Sequence, residues 1–269
     1  YYFQPPFYRE LRRPNGSINT NVLSQKSLHL VGGMTYDFKW GNHKKDFRFI
    51  TEVYYKRLWD LISYEVDNVR IRYSGENDAT GYVLGADFRI NGEFVPGAES
   101  WFNLSILSAR ESLNEIQHLR REIGDSLATE VDWVPRPSDQ TVTASIFFQD
   151  YFPRNDNIKT HLNFSVGTGL PFGLRGNNEV YRNTYRFPIY HRTDLGFSIQ
   201  LWNEEWSFNK PNHFLRFSKN AWLSLEIFNL MQVRNEASKT WVKTVFRRQY
   251  AVPNYLTSRR INLRLKFDF

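Results

Sequence analysis

The stretch "RRINLRLKFDF", Arg259 to Phe269, alternates without a break. Ile261, Leu263, Leu265, Phe267 and Phe269 are apolar, and Arg260, Asn262, Arg264, Lys266 and Asp268 between them are polar or charged. Side chains of a strand point to opposite faces with a period of two, so this segment has one oily face and one ionic face. A soluble antiparallel strand over a core carries the same pattern. Only the rest of the chain separates that reading from a strand with lipid on one side.

The alternation recurs along the whole sequence. In "LHLVGGMTYDFKW" Leu28, Leu30, Met34, Tyr36, Phe38 and Trp40 share a face, against His29, Thr35, Asp37 and Lys39. In "DFRFITEVYYK" Phe47, Phe49, Val53 and Tyr55 oppose Arg48, Glu52 and Lys56. "GYVLGADFRINGEF", "SWFNLSILSA", "QTVTASIFFQDYF", "THLNFSVGTG", "HRTDLGFSIQLW" and "AWLSLEIFNL" continue it. The strands begin near Leu28, Phe47, Tyr82, Trp101, Val142, Thr160, Thr193 and Ala221, and the terminal strand makes nine. The sets predicted to face opposite ways are Leu84, Phe88, Leu104, Ile146, Phe164, Leu195, Leu225 and Leu263 on the oily side, and Arg89, Asn103, Asn163, Ser198, Glu226 and Arg264 on the other.

Composition narrows the class. The chain of 269 residues is 41% hydrophobic, 17% aromatic and 23% charged, with no cysteine. No run approaches the ~18–20 apolar residues of a membrane-spanning helix, which leaves a β-barrel untouched because its strands hide hydrophobicity in alternation. Without cysteine there is no disulfide framework and no thiolate metal site. The net charge is +7, but the basic residues are interleaved with acids, as in "DFRINGEF", and no nucleic acid is expected as a partner. "YYFQPPFYRELRRPNG" has no basic region followed by an apolar one and a small-residue cleavage site, so no signal peptide is expected in it.

Connections at "GNHKKD", "VPGAES" and "PRNDN" are short, and those around 61–79, 111–138 and 170–188 are long and polar. Such alternation matches tight turns at one rim of an outer-membrane barrel and long external loops at the other. Trp40, Phe47, Phe94, Trp101, Phe102, Phe148, Phe152, Trp202, Trp222, Phe267 and Phe269 fall near the short-turn rim, as an aromatic girdle would. An odd number of antiparallel strands cannot close without two parallel neighbours at the seam. Leu28–Trp40 and Ile261–Phe269 are therefore expected to pair with other strands rather than with each other.

With these features in place, the sequence resembles the C-terminal barrel region of TonB-dependent outer-membrane receptors. Within them it is most similar to the subgroup with an N-terminal carboxypeptidase-regulatory-like domain. The resemblance is carried by "QPPFYREL" (Gln4–Leu11), "VDNVRIRY" (Val66–Tyr73), "GADFRINGEFVPGAESW" (Gly85–Trp101), "RPSDQ" (Arg136–Gln140), "TGLPFG" (Thr168–Gly173), "LSLEIFNL" (Leu223–Leu230) and "QYAVPNYLTSRRINLRLKFDF" (Gln249–Phe269). It implies an all-β fold: a transmembrane antiparallel β-barrel of the 22-stranded type, filled by a plug, of which residues 1–269 are the C-terminal portion. The plug, the TonB-contacting segment and the earlier strands would lie outside this sequence. The resemblance further implies that the terminal strand, through Leu265, Phe267 and Phe269, is the signal read by the barrel-assembly machinery.

Catalytic chemistry is not apparent. The six histidines, His29, His43, His118, His161, His191 and His213, show no pair at helical ligand spacing. No nucleophile elbow or phosphate loop occurs, so neither enzyme activity nor a cofactor or metal is expected. The ionic face (Asp37, Lys39, Arg48, Glu52, Lys56, Asp87, Arg89, Asp194, Glu226, Arg264, Lys266) reads either as a transport path or as cross-strand pairing in a wet lumen. Recognition belongs in external loops. "LRGNNEVYRNTYRFPIYHR" (Leu174–Arg192) concentrates arginine and tyrosine, residues favoured at recognition surfaces. Arg175, Tyr181, Arg182, Tyr185 and Arg186 are the candidate ligand or partner residues, with solvated loop decoration as the plain alternative.

Two functions follow. One is import of an unidentified ligand across the outer membrane of a Gram-negative bacterium, energised through TonB. The other is a structural or docking subunit that uses the same barrel, for instance against a surface lipoprotein. A small complete barrel and a soluble β-domain are the remaining alternatives. Outer-membrane lipid is an expected partner in both main readings.

Overall fold

The computed structural model describes residues 1–269 except 41–44, 68–69, 96–97, 122–125, 153, 174–178, 204–217 and 247, and without the side chains of 94, 95 and 99. Nine long strands carry the architecture: β1 Gln25–Trp40, β2 Lys45–Leu61, β3 Ala79–Val95, β4 Ala98–Leu113, β5 Val142–Phe152, β6 Asn155–Gly167, β7 Tyr190–Trp202, β8 Asn220–Phe228 and β9 Arg260–Asp268. Each pairs antiparallel with its sequence neighbour, and two short strands, Tyr2–Gln4 on β1 and Val134–Pro135 on β4, complete an eleven-stranded sheet. The protein is all-β, as expected, and no α-helix occurs among the described residues.

Directly opposed residues of an antiparallel pair point the same way, so the registers define two faces across the whole sheet. One row runs Tyr36, Phe49, Ile90, Phe102, Ile146, Phe164, Thr193. Further along, Leu162, Leu195, Ile227 and Ile261 align, as do Phe197, Leu225 and Leu263. The alternate rows are polar: Arg48 with Asn91, Arg89 with Asn103, Asn163 with Asp194, Ser198 with Ser224, and Ser224 with Arg264. Both predicted sets therefore lie on the faces assigned to them.

Burial runs opposite to that of a soluble sandwich. Leu84 is 51% exposed and Leu263 67%, whereas Ser198 is 4% and Ser224 3% exposed on the polar face. A soluble sheet would hide its oily side. The buried apolar cluster is small, Leu61, Ala79 and Leu113 with Leu58 and Ile116 against them, and it sits at the long-loop end. A face this apolar and this uncovered is matched to lipid as its solvent.

The rows also climb. Tyr36 stands four residues from the short-turn end of β1, and Thr193, six strands on, stands nine residues from the same end of β7. At ~3.3 Å per residue and ~4.8 Å per strand, this stagger corresponds to a tilt of roughly 30°. It is the shear that a sheet needs in order to curl into a barrel wall. β1 and β9 do not pair with each other among the described residues.

Three features depart from expectation. The connection between β7 and β8, 203–219, lies at the short-turn end yet is far longer than 41–44, 96–97 or 153–154. Trp101 and Trp222 stand at the expected height but on the polar face: Trp101 opposes Asn91 and stacks on Phe147 at 5.7 Å, and Trp222 opposes Lys266. They line the interior rather than the girdle. The long connections are also not plain loops, because each holds a hairpin: Tyr64–Asp67 with Arg70–Tyr73, His118–Arg120 with Thr129–Val131, Pro171–Phe172 with Tyr185–Arg186, and Glu236–Lys243 with Gln249–Tyr255.

Candidate functional site

The polar face is a ladder of charges held by partners across and along the strands. Arg48 donates from Nε to Asp37 at 2.7 Å, Ser105 donates to Asp87, and Arg192 donates to Asp194 at 2.7 Å. Asp194 also accepts the backbone N–H of Asn229 at 2.8 Å, tying β7 to the exit of β8. Glu52 and Asp87 are directly opposed, a like-charge pair that the register imposes. Small residues make room for larger ones on this face: a Cβ at Gly85 would lie 2.5 Å from the Tyr54 hydroxyl, and one at Gly196 would overlap the His161 ring. The side-chain carbonyl oxygens of Asn91 and Asn103 are buried and have no donor among the described residues. His29 packs on Tyr2 with ring centroids 4.5 Å apart. Among the described residues no cluster of three or more histidines and carboxylates could hold a metal, and His43 and His213 lie outside them.

The external connections form the second candidate site. Arg182 is buried: its Nε donates to Glu111 at 2.7 Å and its second guanidinium nitrogen to the Tyr64 carbonyl at 2.6 Å. Glu111 continues the polar face of β4 and is 1% exposed, with Arg136 a further 3.4 Å away. Arg186 donates to the carbonyls of Asp139 and Gly169 at 2.8 and 3.0 Å and to the buried Asp139 carboxylate, which in turn accepts the N–H of Ala109 at 2.6 Å. His118 is fixed as a neutral tautomer, with Nδ1 donating to the Glu179 carbonyl at 2.8 Å and Nε2 accepting the Leu113 N–H at 3.1 Å. Burial holds its pKa below the ordinary histidine value.

These contacts surround a cavity of about 690 Å³. Its wall brings Arg182, Tyr185 and Arg186 together with Arg110, Arg120 and Trp133. Tyr185 packs on Phe172 at 5.9 Å. Tyr181 is half-buried, and its carbonyl accepts the Thr184 hydroxyl at 3.0 Å. Arg175 lies outside the described residues. Sequence reading pointed to this loop but missed Glu111, Asp139 and His118. The strand parity of "SARESL" puts Glu111 on the polar face, yet nothing local names its partner 71 residues away.

In the terminal strand, Asp268 pairs with Asn220 and Arg260 with Phe228. Leu265 opposes Leu223, and Phe267 packs on Trp202 at 5.8 Å. Glu226 accepts from Asn262 at 2.9 Å and lies 3.2 Å from Arg264. Phe269 is 74% exposed.

Against known proteins, the fold finds a counterpart and the sequence does not. No family model matches the chain, and no curated protein matches it. Among solved structures, the outer membrane transporter YddB from Escherichia coli superposes with a TM-score of 0.59 at 13% identity, over 93% of this chain and 33% of that one. The chain thus spans about a third of the transporter's length. The likeness shows the fold: a wall segment of an outer-membrane barrel.

Proposed function

We propose that this chain is the C-terminal part of a TonB-dependent outer-membrane receptor that imports a ligand through a lumen lined by the polar face. The observation that carries the reading is the two-faced wall, oily and exposed outside, ionic and partly covered inside, with two edges that do not close on each other. Each edge would meet further strands of a larger barrel. The orphaned carbonyl oxygens of Asn91 and Asn103 are where donors from a segment filling the lumen would fit. The cavity among the external connections, walled by Trp133, Phe172 and Tyr185 and by Arg182 and Arg186 already paired with Glu111 and Asp139, is the first contact for ligand. Import moves the ligand unchanged, so no catalytic group is required.

A second reading, docking within an outer-membrane complex, draws support from the hairpin Glu236–Tyr255. Its tip presents Val245 and Phe246, 96% and 86% exposed. A surface lipoprotein is the partner this reading expects. Titrating the full-length protein with the purified periplasmic domain of TonB, by calorimetry, separates the two. Binding supports transport. No binding, together with a lipoprotein retained through purification, supports docking and overturns the first reading.

A further inference from the structure

The apolar face of β2, β3 and β4 changes character along one row. Up these strands Phe47, Phe49, Val53 and Tyr55 give way to Arg57, and beside it across the sheet stand Tyr82 and then Arg110. Trp133, from the connection after β4, covers the row: its ring lies 5.1 Å from that of Tyr82, and the Arg57 guanidinium carbon lies 5.4 Å from the indole. Arg57 is ten residues above Phe47. At ~3.3 Å per residue and a tilt of roughly 30–40°, that is about 25–28 Å of height, the depth of the apolar band of an outer-membrane barrel. The two guanidinium groups therefore stand at the headgroup level of the external leaflet, Arg57 on the lipid side and Arg110, with Trp133, where that side meets the mouth of the cavity they also line.

Among the described residues neither is neutralised by a carboxylate. Arg110 donates from Nε to the Ser108 hydroxyl at 3.2 Å, and Arg57 has the indole face. Lys26, at the same end of the sheet, is by contrast paired with Asp60 at 2.7 Å. Arg57 and Arg110 flank Tyr82 two strand spacings apart, about 10 Å, a separation suited to a headgroup with more than one phosphate. Guanidinium forks match phosphate oxygens in bidentate fashion, and tyrosine and tryptophan rings suit a half-wet boundary.

We propose that Arg57 and Arg110, with Tyr82 and Trp133 as the platform, hold the phosphorylated headgroup of an outer-leaflet lipid against the barrel wall. This rests on the outer-membrane reading above, which is checked separately by membrane fractionation of every variant. The test titrates the full-length protein in detergent with lipid A carrying both phosphates, with dephosphorylated lipid A, and with inorganic phosphate, and reads bound lipid by native mass spectrometry. The bisphosphorylated lipid is expected to bind best. The double variant R57Q/R110Q should weaken it about twenty- to thirtyfold, at roughly fivefold per charge. R57K/R110K should retain an intermediate affinity, and K266Q on the polar face should change nothing. Unchanged binding by a double variant that fractionates with the outer membrane overturns the proposal. So does equal binding of the dephosphorylated lipid, or displacement of the lipid by inorganic phosphate, which would make this a free-anion site.

Discussion

Replacing Arg182 by alanine should loosen the external connections without dissolving the sheet. Arg182 and Glu111 are 6% and 1% exposed at the side chain, and their closest contact is 2.7 Å. Removing one partner of a buried pair leaves an uncompensated charge and costs about 3–5 kcal/mol. Arg136, 3.4 Å from the other Glu111 oxygen, offsets part of this, so the lower end of the range is expected. The Tyr64 carbonyl also loses its donor. Hydrogen exchange of the full-length protein reads the effect directly. Amides of His118–Arg120 and Tyr185–Arg186 should exchange roughly 100- to 1,000-fold faster, at about 1.4 kcal/mol per decade, while those of β2 and β3 stay protected. The double variant E111Q/R182M, which removes both members of the pair and strands only Arg136, 15% exposed at its side chain, should recover part of the protection. Unchanged exchange in R182A, or a double variant as loose as the single one, would refute the staple.

Leu84→Arg or Leu225→Arg, on the lipid side, should destabilise the barrel by ~2–4 kcal/mol, and by less nearer the rims. Lys266→Gln, an exposed position on the polar face, should cost far less, and reversible unfolding in lipid vesicles compares them. His118 is held neutral with a lowered pKa, so below about pH 6.5 the opened loop takes up a proton that the closed one refuses. Loop stability should therefore fall as pH drops from about 6.5 toward the depressed value and stay flat above it. Protease nicking of the 114–141 connection in whole cells measures this, and nicking that slows on acidification would reverse the sign. Deleting Phe269 should impair insertion far more than it destabilises an assembled barrel, and equal surface levels of the full-length and truncated proteins would remove its role in assembly.

The strands were legible because parity needs no partner. Glu226 opposite Asn262, with Arg264 diagonal to Glu226, follows from counting inward from Phe269, and the structure has that register. Height along a strand was legible too, but face was lost wherever height alone was read. Phe102 points outward, so its neighbour Trp101 must point inward. Trp202 shows the limit of parity. A register shift between Gln200 and Trp202 pairs Trp202 with Ala221 and turns it onto the apolar face beside Phe267, and no local residue pattern announces the bulge. Three loop hairpins escaped because strands of two to four residues carry too little alternation to show; the fourth has strands of eight and seven residues, but Ala237, Lys239, Trp241 and Lys243 mix apolar and charged side chains on one parity. Arginines at 182 and 186 looked like recognition groups, since a sequence displays charge but not the acids, Glu111 and Asp139, on which that charge is spent.

The central claim is that one face of this sheet meets lipid and the other a wet interior. These 269 residues hold no cysteine, so, with any cysteine elsewhere in the full-length protein replaced by serine, single cysteines carrying spin labels can be placed one at a time from Asn262 to Lys266 and from Leu223 to Glu226. The labelled protein is measured full-length in lipid vesicles against oxygen and a water-soluble nickel chelate. The account predicts a strict period of two, with Leu223, Leu225, Leu263 and Leu265 open to oxygen and Ser224, Glu226, Asn262, Arg264 and Lys266 shielded from it. Nickel accessibility at Leu225 and Leu263, or oxygen accessibility without alternation, would contradict it.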